Sequence, residues 1–273
     1  VVRDTDLSRT GSSPFNLDLQ KIIKDQLDER LAALIQPMKA EGLRVSAELL
    51  VGPRLVSIVR EVIAGGYHLV MKTAHPGNDN GVRFGSLAAR LMRKCPCPVW
   101  IAQPEHDTSV RRVLAAVNPG DDPAQDSLSR KALELAHSIA AAEGAEFHAL
   151  HVWNAYGEGL LKNRLSPKEL TEYVEATKLE AAQRFERFVK GVLTDVEPNH
   201  LHLLKGSAGL EIPRFADGEH IDLLVMGSVG RSGLEGLLMG NTAEKTIRQV
   251  SCSLLTIKPD GFVSPIELAA PSD

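Results

Sequence analysis

The chain has 273 residues, is 43% apolar and carries a formal net charge of −4, which is enough apolar matter for two domains with their own cores. Without a basic excess there is no field to hold a nucleic-acid backbone, and no apolar run reaches the roughly 18–20 residues that span a bilayer. The three cysteines lack a framework spacing, which suits a reducing compartment, so a cytoplasmic protein with neither nucleic-acid nor membrane partner is expected.

In chain order, Val1-Val2 reads as the tail of a strand, Asn16–Glu41 as a long helix, and Val99-Trp100-Ile101 as the short apolar strand that closes a first unit. A second series follows: strand Val113–Val117, helix Ser127–Glu143, strand Glu146–Val152, long helix Pro167–Leu193 and strand His200–Leu204. It continues with a short helix Leu210–Ala216, strand Ile221–Met226, a helix over Gly240–Val250 and strand Ser253–Ile257. The Ile221–Met226 run, apolar but for Asp222 and lacking in-out alternation, predicts a strand buried on both faces, and alternation with helices predicts a parallel, doubly wound sheet. In the long helix, Tyr173, Ala176, Leu179 and Phe188 are expected to form the buried stripe and the charged run to face solvent.

The chain repeats itself. With Met71 set over Met226, an offset of 155, the window 69–101 holds eight identities, among them Gly81/Gly236, Gly85/Gly240, Ala88/Ala243 and Cys97/Cys252, against roughly two by chance. Gly52 and Ile58 match Gly206 and Ile212 at offset 154. The predicted fold class is therefore α/β, two tandem doubly wound parallel-sheet repeats at 1–105 and 110–260 with a tail at 261–273. The first repeat lacks its opening βα segment, for which truncation or disorder at the start is the expected cause. The two closing strands, Val99-Trp100-Ile101 and Leu254–Ile257, are expected to pair with each other, so that the repeats dock within one chain and leave room for a homodimer.

The sharpest motif follows the buried strand: Gly227-Ser-Val-Gly230, nine residues, then Gly240-Asn241-Thr242 at the start of the last helix. Backbone N–H groups at a helix N-terminus attract anions, and glycines let the backbone approach phosphate oxygens closely. Ser228, Arg231, Ser232 and Thr242 add candidate donors. Together with Leu223-Leu224-Val225-Met226 before it and Ser251-Cys-Ser-Leu-Leu-Thr-Ile-Lys258 after it, this spacing resembles the universal stress protein family, whose ATP-binding pattern is Gly, two residues, Gly, nine residues, Gly-Ser/Thr. Lys72-Thr-Ala-His75, Arg93–Trp100, Gly240–Glu244 and Lys258-Pro-Asp260 look most like its tandem E type.

The resemblance implies an adenine nucleotide α hydrolase-like fold and a role in stress response. It also implies that ATP, with any Mg accompanying the nucleotide, lies against Ala116, Val117, Asn118, Gly227, Gly230, Arg231, Ser232, Gly240, Asn241 and Thr242. Two positions depart from the pattern: Asn118 stands where ATP-binding members have Asp, and Asn241 stands at the Ser/Thr place. In the first repeat Lys72 and His75 replace the glycines, and only Gly85-Ser86 is kept, so no nucleotide is expected there.

Other candidates are weaker. His148, His151, His200 and His202 lack neighbouring ligands at metal spacing, and His148 and His151 are expected on opposite faces of their strand. Cys95-Pro-Cys97 lacks a two-residue redox spacer and reads as structural. The sequence thus points to a binding protein for ATP or a related phosphate-containing molecule without fast catalysis. The alternatives are a slow ATPase or ligand hydrolase, with Asp121, Asp122 and His151 as candidate bases, and a non-binding interaction protein.

Overall fold

The structure, a computed structural model, describes residues 14–74, 84–104, 109–120, 122–194, 196–228 and 240–268. The chain forms two compact units, one of residues 1–66 with 266–273 and one of residues 67–265. The first contains helices α1 (Pro14–Ala40) and α2 (Arg54–Gly65). α2 closes on Gly66, whose left-handed conformation at φ 61° returns its N–H to the Val62 carbonyl. Within this unit Arg60 Nε donates to the Glu267 carbonyl at 2.9 Å. The predicted strand tail Val1-Val2 lies outside the described residues.

The second unit is built on one seven-stranded sheet. Its strands are β1 (Val70–Thr73), β2 (Val99–Ala102), β3 (Arg112–Ala116), β4 (Glu146–Trp153), β5 (Leu201–Lys205), β6 (Leu223–Gly227) and β7 (Ser253–Ile257), in the order β1-β2-β7-β6-β3-β4-β5. All neighbours are parallel except β2 and β7, which run antiparallel with Val99 opposite Thr256, Trp100 opposite Leu255 and Ile101 opposite Leu254. The two parallel blocks anticipated from the repeat thus share a single sheet, joined where their closing strands meet.

Helices α3 (Gly85–Lys94), α4 (Pro123–Glu143), α5 (Glu158–Leu161), α6 (Pro167–Lys190), α7 (Ala208–Gly218) and α8 (Asn241–Gln249) alternate with the strands. Local chemistry sets where the two longest begin. Asp122 accepts from Ala124 N at the start of α4, and Ser166 and Glu169 form a reciprocal capping box at the start of α6, each followed by a proline at the first helical position. One sheet face packs Val113, Ala115, Leu223, Val225 and Leu255 against Leu133 and Ala136 of α4 and Phe185, Phe188 and Val189 of α6. Their neighbours in sequence, Leu114, Leu224 and Leu254, point the other way and are equally buried, as the continuous apolar runs required.

One expectation about α6 is corrected. Leu179 is 59% exposed and Ala176 is exposed, while the buried positions are Phe185, Phe188 and Val189. The apolar stripe is rotated from the one expected, because part of the polar surface of α6 faces a cleft rather than bulk water.

Candidate functional site

The second block runs β7-β6-β3-β4-β5, so the chain leaves β3 toward β4 and β5 and then returns to its other side for β6 and β7. That reversal is the switch point beyond whose carboxyl ends open α/β sheets bind ligands. A cleft of about 720 Å³ opens there, within the volume range of small-molecule sites. Ala116, Val117 and Asn118 line it from the end of β3, Met226 and Gly227 from the end of β6, and Gly240, Asn241 and Thr242 from the start of α8. Gly230, Arg231 and Ser232 lie outside the described residues, as do Asp121 and His75.

Short hydrogen bonds fix the walls. Val117 N donates to the Leu150 carbonyl at 3.0 Å, and Asn118 N donates to Ser129 Oγ of α4 at 3.2 Å, so the turn after β3 is held from both sides. His151, buried on β4, lies with Nδ1 3.1 Å from the Val117 carbonyl, which can only accept, so Nδ1 carries the ring hydrogen. Gly206 N donates to the Trp153 carbonyl at 2.8 Å and sets the floor between β4 and β5.

Two residues of the glycine loop have packing or hydrogen-bonding roles that the sequence did not reveal. Ser228 is fully buried, and both its N–H (3.0 Å) and its hydroxyl (3.1 Å) donate to the Ile257 carbonyl, so the hydroxyl ties the loop to β7 instead of facing an anion. A Cβ on Gly227 would sit 2.5 Å from Leu128 Cδ2, so close packing of α4 on β6 requires glycine at this position. Gly240 N donates to the Ser228 carbonyl at 3.1 Å, which places the N-terminus of α8 beside the end of β6. Gly240 itself has φ −61° and ψ 140°, torsions open to any residue.

The sequence reading missed Gln125, Trp153, Thr177, Glu180, Arg184 and Ser207, all of which line the cleft. Thr177, Glu180 and Arg184 recur at three- and four-residue spacing along α6, a polar stripe that was the available signal. Arg184 and Glu180 pair at 2.7 Å on the cleft wall.

The histidines separate as expected, with His151 at the cleft and His148 on the opposite sheet face. His148 nevertheless meets residues distant in sequence. Its Nδ1 lies 3.1 Å from His202 Nε2, its ring centroid is 4.8 Å from that of His200, and its Nε2 lies 3.7 Å from Glu146 Oε2. Among the described residues no group of three His, Cys, Asp or Glu is arranged to hold a metal ion. Burial lowers the pKa of both His148 and His202, and each is lowered further by neighbouring histidine charge, while Glu146 opposes this at His148 and Glu219 at His202. Arg112 adds a small depression at His148. The unfolded chain therefore binds more protons than the folded one below the ordinary histidine pKa of about 6.5, and stability falls as pH drops through that value. The thermal midpoint is expected to fall between about pH 7 and pH 5.5, and to fall less in His148→Gln/His202→Gln. An unchanged slope in a folded double variant would contradict this assignment.

The first repeat's counterpart of the loop differs. Lys72 Nζ donates to the Thr73 carbonyl at 2.5 Å, and Gly85 opens α3 with φ 76°.

Three comparisons bear on the chain. The model of the universal stress protein family matches residues 2–103 and again residues 109–258. Universal stress protein E of Escherichia coli K12 is 31% identical over 217 residues, covering 78% of this chain and 67% of that protein, and its counterpart in Photorhabdus laumondii is 29% identical over 219 residues, covering 78% and 68%. Among solved structures, a functionally unknown protein of Pseudomonas aeruginosa PAO1 superposes with a TM-score of 0.71 at 28% identity, covering 85% of this chain and 78% of that one.

Proposed function

Since the chain belongs to the universal stress protein family of stress-response proteins, we propose that its second repeat, residues 110–260, binds ATP or a related phosphate-containing ligand in the cleft beyond β3, without fast turnover. The observation that carries this reading is the convergence of Ala116, Val117, Asn118, Gly227, Gly240, Asn241 and Thr242 on one cleft at the switch point. Adenine and ribose lie against Ala116–Asn118, near Trp153. The phosphates face the first N–H groups of α8, with the Asn241 amide and Thr242 hydroxyl as further donors. Gly230, Arg231 and Ser232 complete the phosphate end in this reading.

A magnesium ion would be held chiefly by the phosphates. Among the described cleft residues, Glu180 supplies the carboxylate and is already paired with Arg184, while Asn118 offers only a neutral amide. Asn118 at the end of β3 offers no group to take a proton from water, so the slow-hydrolase alternative falls to His151, which lines the cleft and, with Nδ1 bound to the Val117 carbonyl, keeps Nε2 as its acceptor. In the first repeat, residues 1–105, Lys72 and His75 stand where the loop glycines would, and no nucleotide is held there. The β2–β7 contact supports docking of the repeats within one chain, and a homodimer and a cytoplasmic location complete the reading.

Equilibrium dialysis against ATP, ADP and AMP, followed by a long incubation scored for product, tests the proposal. Saturable binding at one site without product is expected. Turnover would replace the binding protein with a hydrolase, and absence of binding to all three would reduce the cleft to a structural feature.

A further inference from the structure

Cys95 and Cys97 flank Pro96 between the end of α3 and the start of β2, and their sulfurs lie 3.6 Å apart. A disulfide needs about 2.05 Å, so each sulfur has to move by less than about 1 Å. The repeat supplies an internal comparison. At offset 155 the second repeat has Val250-Ser251-Cys252, with Val250 and Cys252 as buried as Cys95 and Cys97. Packing at position 95 is thus satisfied by a valine in the equivalent place, and the thiol is an addition specific to the first repeat.

A third group converges on that thiol. Lys258 follows β7, is buried, and donates from Nζ to the Met92 carbonyl at 2.6 Å and the Arg93 carbonyl at 3.3 Å, the last turn of the helix that ends at Cys95. The amine also sits 4.4 Å from the centre of the Phe262 ring. Burial lowers it to about 8, with Cys95 acting in the opposite direction. Cys95 in turn is held below its ordinary value, first by the hydrogen bond from Cys97 and further by the charge of Lys258, against its burial, while Cys97 is raised. The lone Cys252 is pushed up to about 12 by burial. Beside the pair, a cleft of about 580 Å³ is lined by Pro96, Pro98, Lys258 and Phe262; Cys95 is fully buried and Cys97 8% exposed, so a small peroxide reaches the sulfurs through local opening of the Pro96 turn.

We propose that Cys95 and Cys97 form a hydroperoxide-reactive dithiol that closes reversibly to an intrachain disulfide, with Lys258 as the positioning cation. The Cys95 thiolate attacks one peroxide oxygen and the O–O bond breaks. This gives a Cys95 sulfenic acid and an alkoxide, which leaves as the alcohol with the proton from Cys95. The Cys97 sulfur then attacks the sulfenic sulfur, the S–O bond breaks, and the hydroxide leaves as water with the Cys97 proton. Both sulfurs are oxidised by one electron each and the peroxide is reduced to alcohol and water. The device is independent of nucleotide binding.

The test treats the reduced, intact chain with hydrogen peroxide and counts thiols by maleimide labelling after denaturation. Of the three thiols, two are expected to disappear with a mass loss of two hydrogens, the linked peptide to hold Cys95 and Cys97, and Cys252 to label fully. A dithiol reductant restores all three. Cys95→Val, which copies the second repeat, is expected to keep its circular dichroism spectrum and to form no intrachain disulfide. Cys97→Ser should leave Cys95 as a sulfenic acid that a dimedone probe captures, and Lys258→Met should slow closure about tenfold at neutral pH. Three labelled thiols under conditions that oxidise a free dithiol, equal loss of Cys252, or links only between chains would each overturn the proposal.

Discussion

Gly240→Val should weaken ATP binding by about tenfold or more while leaving the chain folded. The backbone at this residue, φ −61° and ψ 140°, is accessible to a β-branched side chain, so the substitution carries no torsional penalty. Its N–H bond to the Ser228 carbonyl and its carbonyl bond from Glu244 N involve main-chain atoms that valine keeps. What valine adds is bulk at the mouth of the cleft, where the first N–H groups of α8 are proposed to meet phosphate. Losing one charge-assisted contact of about 1.5–3 kcal/mol corresponds to at least a tenfold change. Calorimetric titration of parent and variant, with circular dichroism to confirm folding, measures it. Equal affinity in a folded variant would make the glycine a helix boundary and nothing more. Gly85→Val is a poor control from the first repeat, because Gly85 adopts φ 76° and a valine there would strain the backbone.

Leu224→Ala is expected to cost about 2–5 kcal/mol of stability. Leu224 is fully buried on β6, in register with Leu114 of β3 on one side and Leu254 of β7 on the other, both also fully buried. Interior packing of this density leaves little room for neighbours to collapse into the space left behind. The matched control is Leu179→Ala on α6, 59% exposed, which should change stability by no more than about 0.5 kcal/mol. Urea denaturation of both variants checks the pair, and similar losses at the two sites would contradict the placement of Leu224 in the core.

The sheet was legible because its strands announce themselves. Leu223–Met226 is apolar without alternation, and only a strand covered on both faces tolerates that pattern. The repeat offset made the pairing of β2 with β7 foreseeable, since two homologous closing strands present similar apolar edges. The cleft was half legible. Glycine spacing pointed to Gly227 and Gly240, whereas Glu180 and Arg184 were read as solvent-facing, because hydrophobic periodicity separates core from polar but cannot separate a wet cleft from open water. The same blindness rotated the expected stripe of α6 onto Leu179.

Four side chains took on meaning only through contacts distant in sequence. Ser228 looked like a phosphate donor until β7 placed the Ile257 carbonyl against its hydroxyl. His148 and His202 are separated by more than fifty residues and meet because β4 and β5 lie side by side. Lys258 reaches the end of α3 across the β2–β7 junction, a contact that no local pattern encodes.

The most direct measurement of the central claim is photolabelling of the intact chain with 8-azido-ATP, followed by peptide mapping in the presence and absence of excess ATP. Labelling is expected on peptides that contain Ala116–Asn118, His151–Asn154 or Gly206–Ala208, suppressed by competing ATP and absent from residues 67–104. Labelling that ATP does not suppress, or that falls on the first repeat instead, would contradict a nucleotide site beyond β3.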